Sequence, residues 1–458
     1  MKMIEKPKVI FIPYPAQGHV TPMLHLASAF LSRGFSPVVL TPEPIHRRIS
    51  SANLGREIDF IPLSNGPDCP DASPGDFFSV ENAMENVMPS QLEGILLRAG
   101  ARVGCVVVDL LASWAIRVAG RCGVPAAGFW PAMLASYRVI NAIPELVRTG
   151  VISRSGRPRQ PESQIFLPEQ PVLTAGELPW LIGTPEAQKG RFEFWERTLE
   201  RSKTLRWILV NSFKSEYDHH LIGQNTSYKR RNEEDKENGP RIIHVGPLNK
   251  IHADTTLTKN PSFWEEDRTC LDWLKQQKPN SVIYVSFGSW VSPIGESKIK
   301  SLALALESSG KPFLWALKPA WQESLPKGFM KRVTTRVKNQ GKIVNWAPQR
   351  EILKNDIVGC YLTHCGWNST MEAVECSRKM LCYPVAGDQF VNCGYIVDVW
   401  RVGDRVLGFG EKEVEEGVTR VMEDDEMGER LKKLREKVMG MASESDFSFG
   451  DVFVEYFD

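Results

Sequence analysis

The chain has 458 residues, too many for one ordinary hydrophobic core, and roughly 150 residues per domain points to two or three domains. Hydrophobic residues make up 42% and charged residues 24%, which excludes wholesale disorder. A formal net charge of +1 gives no electrostatic ground for nucleic acid or an anionic membrane as the main partner.

The opening residues MKMIEKPKVIFIPYP contain too short an apolar run for a signal peptide, and no later run reaches the ~18 apolar residues of a membrane span. Nine cysteines, scattered and mostly inside apolar segments, read as reduced buried thiols. The expectation is a soluble, cytoplasmic protein. Val9 to Ile12 form an apolar run that ends in the turn-rich Pro13 to His19, a strand and then a loop. Thr21 is positioned to cap a helix with Pro22 in its first turn, which Gly34 ends, and Ser36 to Thr41 make the next strand. Strand, helix and strand in this order start a parallel sheet.

The same grammar returns at Val103 to Val108, a strand ending in Asp109, then a helix around Trp114 to Arg121 and a strand from Ala126 to Trp130. Trp207 to Asn211 is a further strand, and residues 1–246 read as one doubly wound domain. Residues 229–239 carry eight charges and almost no apolar side chains, so an exposed loop is expected there. Residues 247–268 read as a polar linker. A second doubly wound domain, 269–441, begins with the strand Ser281 to Phe287. Strands at 313–317, 342–345, 357–363 and 379–383 then alternate with helices, the last of them near Glu429 to Met441. The apolar tail 442–458 is expected to pack back on the first domain.

Ligands in such sheets sit beyond the C-terminal strand ends. His19 and Asp109 occupy matching places there. A carboxylate on one ring nitrogen would orient an imidazole, the arrangement of a general base, although Asp109 could equally cap the helix that follows it. Thr363 to Ser369 follow a strand and precede a helix, as a phosphate cradle would, with Gly366 allowing close approach and Asn368 and Ser369 able to cap the helix. Ser369 to Glu372 also fit a capping box. Trp346 could stack on a planar base, while Asp388 and Gln389 could meet sugar hydroxyls. Cys360, His364 and Cys365 lack the paired spacing of a zinc site, and no Asp-x-Asp occurs, so no metal and no cofactor is expected. G-x-G-x-x-G and the P-loop motif are both missing, which argues against an oxidoreductase and a P-loop NTPase.

The stretch Trp346 to Gln389 resembles, from end to end, the signature box of plant-type family 1 UDP-glycosyltransferases. PAQGHVTP at 15–22, VGPL at 245–248 and Tyr284 to Ser289 extend the likeness over nearly the whole chain. The resemblance implies an α/β GT-B fold, two Rossmann-like domains facing across a cleft, with the acceptor bound mainly by the first and a UDP-sugar mainly by the second. It implies Trp346 on uracil, Ala347 and Gln349 beside base and ribose, and Glu372 on ribose hydroxyls. Ser289, His364, Asn368 and Ser369 would surround the diphosphate, and Trp367, Asp388 and Gln389 would meet the sugar. His19, supported by Asp109, would deprotonate a hydroxyl of a small lipophilic acceptor, and an inverting, metal-independent transfer of a hexose, glucose, would follow. A UDP-sugar-binding protein without transfer is the alternative. Two departures stand out: Ser377-Arg378-Lys379 where Gly-Val-Pro is usual, and Val385-Ala386-Gly387 where a bulkier run is usual. An acceptor pocket is expected near Phe77, Trp130 and Phe192.

Overall fold

A computed structural model describes residues 7–50, 58–66, 77–214, 216–217, 239–248, 263–289, 294–335 and 339–440. The charged segment 229–238, the middle of the expected linker and the tail 442–458 lie outside these residues. The first sheet contains β1 (Lys8–Ile12), β2 (Ser36–Pro42), β3 (Asp59–Leu63), β4 (Val103–Asp109) and β5 (Ala126–Trp130). After a small antiparallel pair, β6 (Gln164–Ile165) and β7 (Leu173–Thr174), β8 (Trp207–Val210) and β9 (Arg241–His244) complete it. The second sheet contains β10 (Val282–Ser286), β11 (Phe313–Ala316), β12 (Gly341–Val344), β13 (Val358–Thr363), β14 (Met380–Cys382) and β15 (Gly403–Arg405).

The sheets run in the orders β3-β2-β1-β4-β5-β8-β9 and β12-β11-β10-β13-β14-β15. Every pairing in them is parallel. Near-continuous Val, Ile, Leu and Phe runs explain this, because helices cover both faces of a parallel sheet and both must be apolar. In each sheet the winding reverses between its first strand and the fourth strand of its domain's parallel series, β1 beside β4 and β10 beside β13. The crevice at that reversal is where an open α/β sheet binds its ligand. Together they make a GT-B fold.

The expected strands lie within a residue or two of those found, as does the helix Trp114–Arg121, but two helix starts differ. The first helix spans Gln17–Ser32 with Ala16 at its N-cap, so Pro22 is inside it and Thr21 is not a cap. The turn after β1 closes on itself, with Ala16 N donating to Tyr14 O at 2.8 Å, and helical bonding is already under way at His19. The capping box from Ser369 to Glu372 does not form either. Gly366, in extended conformation, takes the N-cap place and the helix Trp367–Glu375 begins at once, so Asn368 and Ser369 lie in its first turn and make no cap bond.

One apolar cluster runs through both domains, with Phe213 of the first packed against Trp367 and Trp400 of the second at ring separations of 6.5 and 6.0 Å. Hydrogen bonds cross the same boundary. Trp367 Nε1 donates to Asn211 O at 2.7 Å, Trp400 Nε1 to Glu216 O at 2.9 Å, and Tyr395 Oη to Glu169 O at 2.8 Å. Arg405 pairs with Glu177 at 2.8 Å. Among the described residues, no helix is long and apolar enough to cross a membrane.

Candidate active site

A cleft of about 1440 Å³ opens between the two sheet reversals. From the first domain it receives the loop after β1 and the end of β4. His19 Nδ1 and Asp109 Oδ2 are 2.8 Å apart, although 90 residues separate them in sequence. Asp109 is fully buried, and its other oxygen accepts Leu111 N at 2.9 Å. One oxygen thus meets the imidazole and the other caps the single turn Leu110–Ala112, while the N-cap place of the helix Trp114–Arg121 falls to Ser113. The imidazole is 23% exposed, with its edge on the ring of Tyr14 at 5.2 Å. Orientation by a carboxylate on Nδ1 leaves Nε2 as the atom available to a ligand.

Pro22 shapes this helix in a way its neighbours cannot. Its ring nitrogen has no proton for the carbonyl four residues back, that of Gly18. The same carbonyl accepts Asn368 Nδ2 from the second domain at 3.0 Å.

The second domain contributes a denser polar network. Gln349 Oε1 accepts the hydroxyls of Tyr284 and Tyr361, each at 3.1 Å. Its Nε2 donates to Glu372 Oε2 at 2.7 Å and to Ser369 Oγ at 3.0 Å. The Gln349 carboxamide is thus used on all sides. It holds Glu372, and Gln349 itself lines the cleft beside Ala347. Burial raises the Glu372 carboxyl above the ordinary range, partly opposed by the Gln349 bond. Burial likewise lowers His364 to about 4, so the imidazole is neutral near pH 7. His364 packs against Gly288, whose φ of +77° and closeness (an added Cβ would lie 2.5 Å from Nε2) both call for glycine.

Trp346 is half-buried and lines the cleft, its ring 4.8 Å from that of Trp264, a neighbour the sequence reading did not include. Ala347 lines the cleft beside it. The backbone carbonyl of Ser289, also in the wall, accepts from Lys318 Nζ. Trp367 lines the cleft too, with its indole N–H donating to Asn211 O. Gln389 Oε1 is held by Val385 N and Ala386 N at 2.9 and 3.0 Å, which leaves its amide hydrogens for a ligand. Asp388, raised by burial, is reached by Asn392 Nδ2 at 2.8 Å, and the same nitrogen donates to Cys365 O at 2.9 Å. Asn392 thereby ties two walls together, a role invisible in sequence because its partners are 27 and four residues away.

Phe77 and Trp130 line the first domain's part of the cleft, but Phe192 does not. It is fully buried against Trp180 at 5.4 Å, and Arg191 and Trp195, which flank it on the helix Pro185–Ser202, reach the cleft instead. Residues Ser377 to Lys379 lie at the N-terminal edge of the second sheet, away from its ligand end. Arg378 Nε donates to Leu353 O at 2.6 Å and Lys379 Nζ to Met422 O at 2.8 Å, so this departure staples backbone together. Cys360, His364 and Cys365 do not gather as metal ligands among the described residues.

A family model described as UDP-glucoronosyl and UDP-glucosyl transferase matches residues 266–437. The chain is similar to UDP-glycosyltransferase 82A1 of Arabidopsis thaliana, at 67% identity over 98% of this chain and 99% of that one. In structure it resembles a UDP-glucose: anthocyanidin 3-O-glucosyltransferase in complex with UDP, with a TM-score of 0.79, 23% identity and coverage of 99% and 100%. It also resembles a Phytolacca americana glycosyltransferase complexed with UDP-2-fluoro-glucose and pterostilbene, with a TM-score of 0.76, 24% identity and coverage of 99% and 100%. The chain belongs to the plant family 1 UDP-glycosyltransferases, enzymes that transfer a sugar from a UDP-sugar.

Proposed function

We propose that this enzyme transfers a hexose, glucose, from its UDP-sugar to a hydroxyl of a small lipophilic acceptor, with inversion and without a metal. The observation that carries the reading is the His19–Asp109 pair facing a saturated polar wall across one cleft. His19 Nε2 takes the acceptor hydroxyl proton, and Asp109 orients the ring and stabilises the imidazolium that forms. The acceptor oxygen then attacks the anomeric carbon from the side opposite UDP. One displacement forms the new C–O bond as the bond to the diphosphate breaks, so the configuration inverts.

Charge on the departing diphosphate falls to the uncapped N-terminus of the helix Trp367–Glu375, together with Ser289, His364, Asn368 and Ser369. No Asp-x-Asp occurs to hold a cation against that group, which supports the metal-independent assignment. Trp346 and Ala347 take the uracil, Glu372 the ribose, and Asp388 and Gln389 the sugar. The glucose preference rests on Gln389 and on the fluoro-glucose donor of the Phytolacca relative. The small lipophilic acceptor rests on Phe77 and Trp130 in the wall.

The test is transfer from UDP-glucose and its galactose, xylose and glucuronate counterparts to a mixed set of hydroxyl compounds, with the product anomer read by NMR. His19→Ala should lose transfer while still binding UDP, and UDP-α-glucose should give a β-glucoside. Wild-type transfer by His19→Ala, or an α-product, would refute the mechanism.

A further inference from the structure

Three cysteines far apart in sequence meet behind the cleft. Cys365 follows β13, Cys382 ends β14 and Cys393 belongs to the helix Gln389–Gly394, and their sulfurs all lie within 4.8 Å of one another. All three side chains are buried, and among the described residues no other group of three His, Cys, Asp or Glu ligand atoms is so close. The centre of a triangle with 4.8 Å sides is about 2.8 Å from each corner. A contraction of about half an ångström brings that to the ~2.3 Å of a zinc–thiolate bond. The donor set is all sulfur, which selects soft ions over magnesium, calcium or manganese. Burial pushes the Cys365 and Cys382 thiols well above the ordinary thiol range, weakly opposed at Cys365 by Arg405, whereas the hydrogen bonds from Cys365 and Cys382 favour the Cys393 thiolate, so metal–sulfur bonds must offset the burial of two of the three ligands.

We propose that Cys365, Cys382 and Cys393 form a site for one soft, thiophilic metal ion, and that its occupancy weakens UDP binding. Each ligating thiol breaks its S–H bond, forms a metal–sulfur bond and gives its proton to the buffer, so a dication held by three thiolates carries one net negative charge. The coupling follows from where Cys365 sits. It occupies a left-handed conformation at φ +66° between His364 and Gly366, both of which line the cleft. Its N–H donates to Thr363 Oγ1 at 3.1 Å and its carbonyl accepts Asn392 Nδ2, the group that also holds Asp388. Closing the sulfur triangle draws this residue towards β14 and away from the diphosphate side. Metal and UDP are then antagonists, each weakening the other by the same factor.

The reduced full-length protein should be titrated anaerobically with Cd²⁺, a soft stand-in for zinc whose bonds to sulfur give an ultraviolet charge-transfer band. The expected result is one equivalent with three sulfurs by X-ray absorption. The band should be lost in Cys382→Ser and Cys393→Ser and kept in Cys376→Ser, a half-buried thiol outside the cluster. UDP affinity of the loaded protein should fall about fivefold or more. A band that survives in both cluster variants, or wild-type protein without sulfur-bound cadmium, would overturn the site. Should either variant fail to fold, the sulfur count on the wild type still decides it. Unchanged or tighter UDP binding after loading would overturn the antagonism.

Discussion

The two walls of the cleft are built on the same topological reversal and solve opposite problems. The first domain offers His19 on its buried partner Asp109, in a wall where Phe77, Trp130 and Trp195 stand beside separate polar residues such as Arg48 and Arg191. The second offers Gln349, Glu372, Ser369 and the hydroxyls of Tyr284 and Tyr361 in one network with every capacity of the Gln349 amide used. A ligand that never changes can be met by side chains locked in advance, because ordering them costs nothing at the moment of binding. A variable ligand is better met by shape and a single reactive group. The contrast teaches that substitutions should separate cleanly, into turnover on one wall and donor affinity on the other.

The largest expected effect breaks the sparse wall. His19→Ala should lower kcat by about 10²–10⁴, the range of general-base catalysis, with UDP affinity close to wild type by calorimetry. Asp109→Ala should follow in the same direction with a smaller loss, because it acts through the imidazole. On the dense wall, Gln349→Ala strands the buried Glu372 carboxyl and two tyrosine hydroxyls. The cost of about 1–3 kcal/mol per unsatisfied group should raise the UDP-sugar KM by about ten- to a hundredfold, with kcat changing less.

A third test concerns the support of the acceptor wall. Glu216 is buried and accepts Leu134 N and Ala135 N, at 2.7 and 3.0 Å, at the start of the helix Leu134–Asn141. Burial outweighs these bonds and raises its carboxyl from 4.5 to about 7. A raised pKa gives stability that is fully present below 4.5 and lost as pH rises through about 7. Unfolding measured against pH should therefore show wild type losing stability relative to Glu216→Gln across that window, on the order of 3 kcal/mol in all. A parallel pair of curves would contradict it. The smallest expected effect is that of Pro22→Ala. Its new N–H can bond Gly18 O within the helix and compete with Asn368, so kcat should fall only a few-fold, with little change in Tm.

The alternating strand and helix grammar was legible because parallel strands are continuous apolar runs, and runs such as Val103 to Val108 survive any error in their surroundings. Strand ends then located most of the cleft residues. Two helix starts differ from expectation for a definite reason. Thr21-Pro22 and Ser369 to Glu372 are good local capping signals, but the turn at Tyr14 to Ala16 and the extended Gly366 had already begun those helices. Apart from His19 with Asp109, pairings across the chain were hidden. Gln389 spends its carbonyl on its own loop, Trp367 spends its N–H on the other domain, and Cys365 finds Cys382 and Cys393 rather than Cys360.

The bonds between domains share a property of their acceptors. Trp367, Asn368, Tyr395 and Trp400 all reach main-chain carbonyls of the first domain, at Asn211, Gly18, Glu169 and Glu216, and Arg405 with Glu177 is the exception. A carbonyl persists whatever side chain its residue carries. The hydrogen-bonded part of the docking is therefore indifferent to the side chains at those four positions, while Phe213 and Glu177 are the side chains the joint depends on. Substitution at those four positions should accordingly leave the joint between the domains intact.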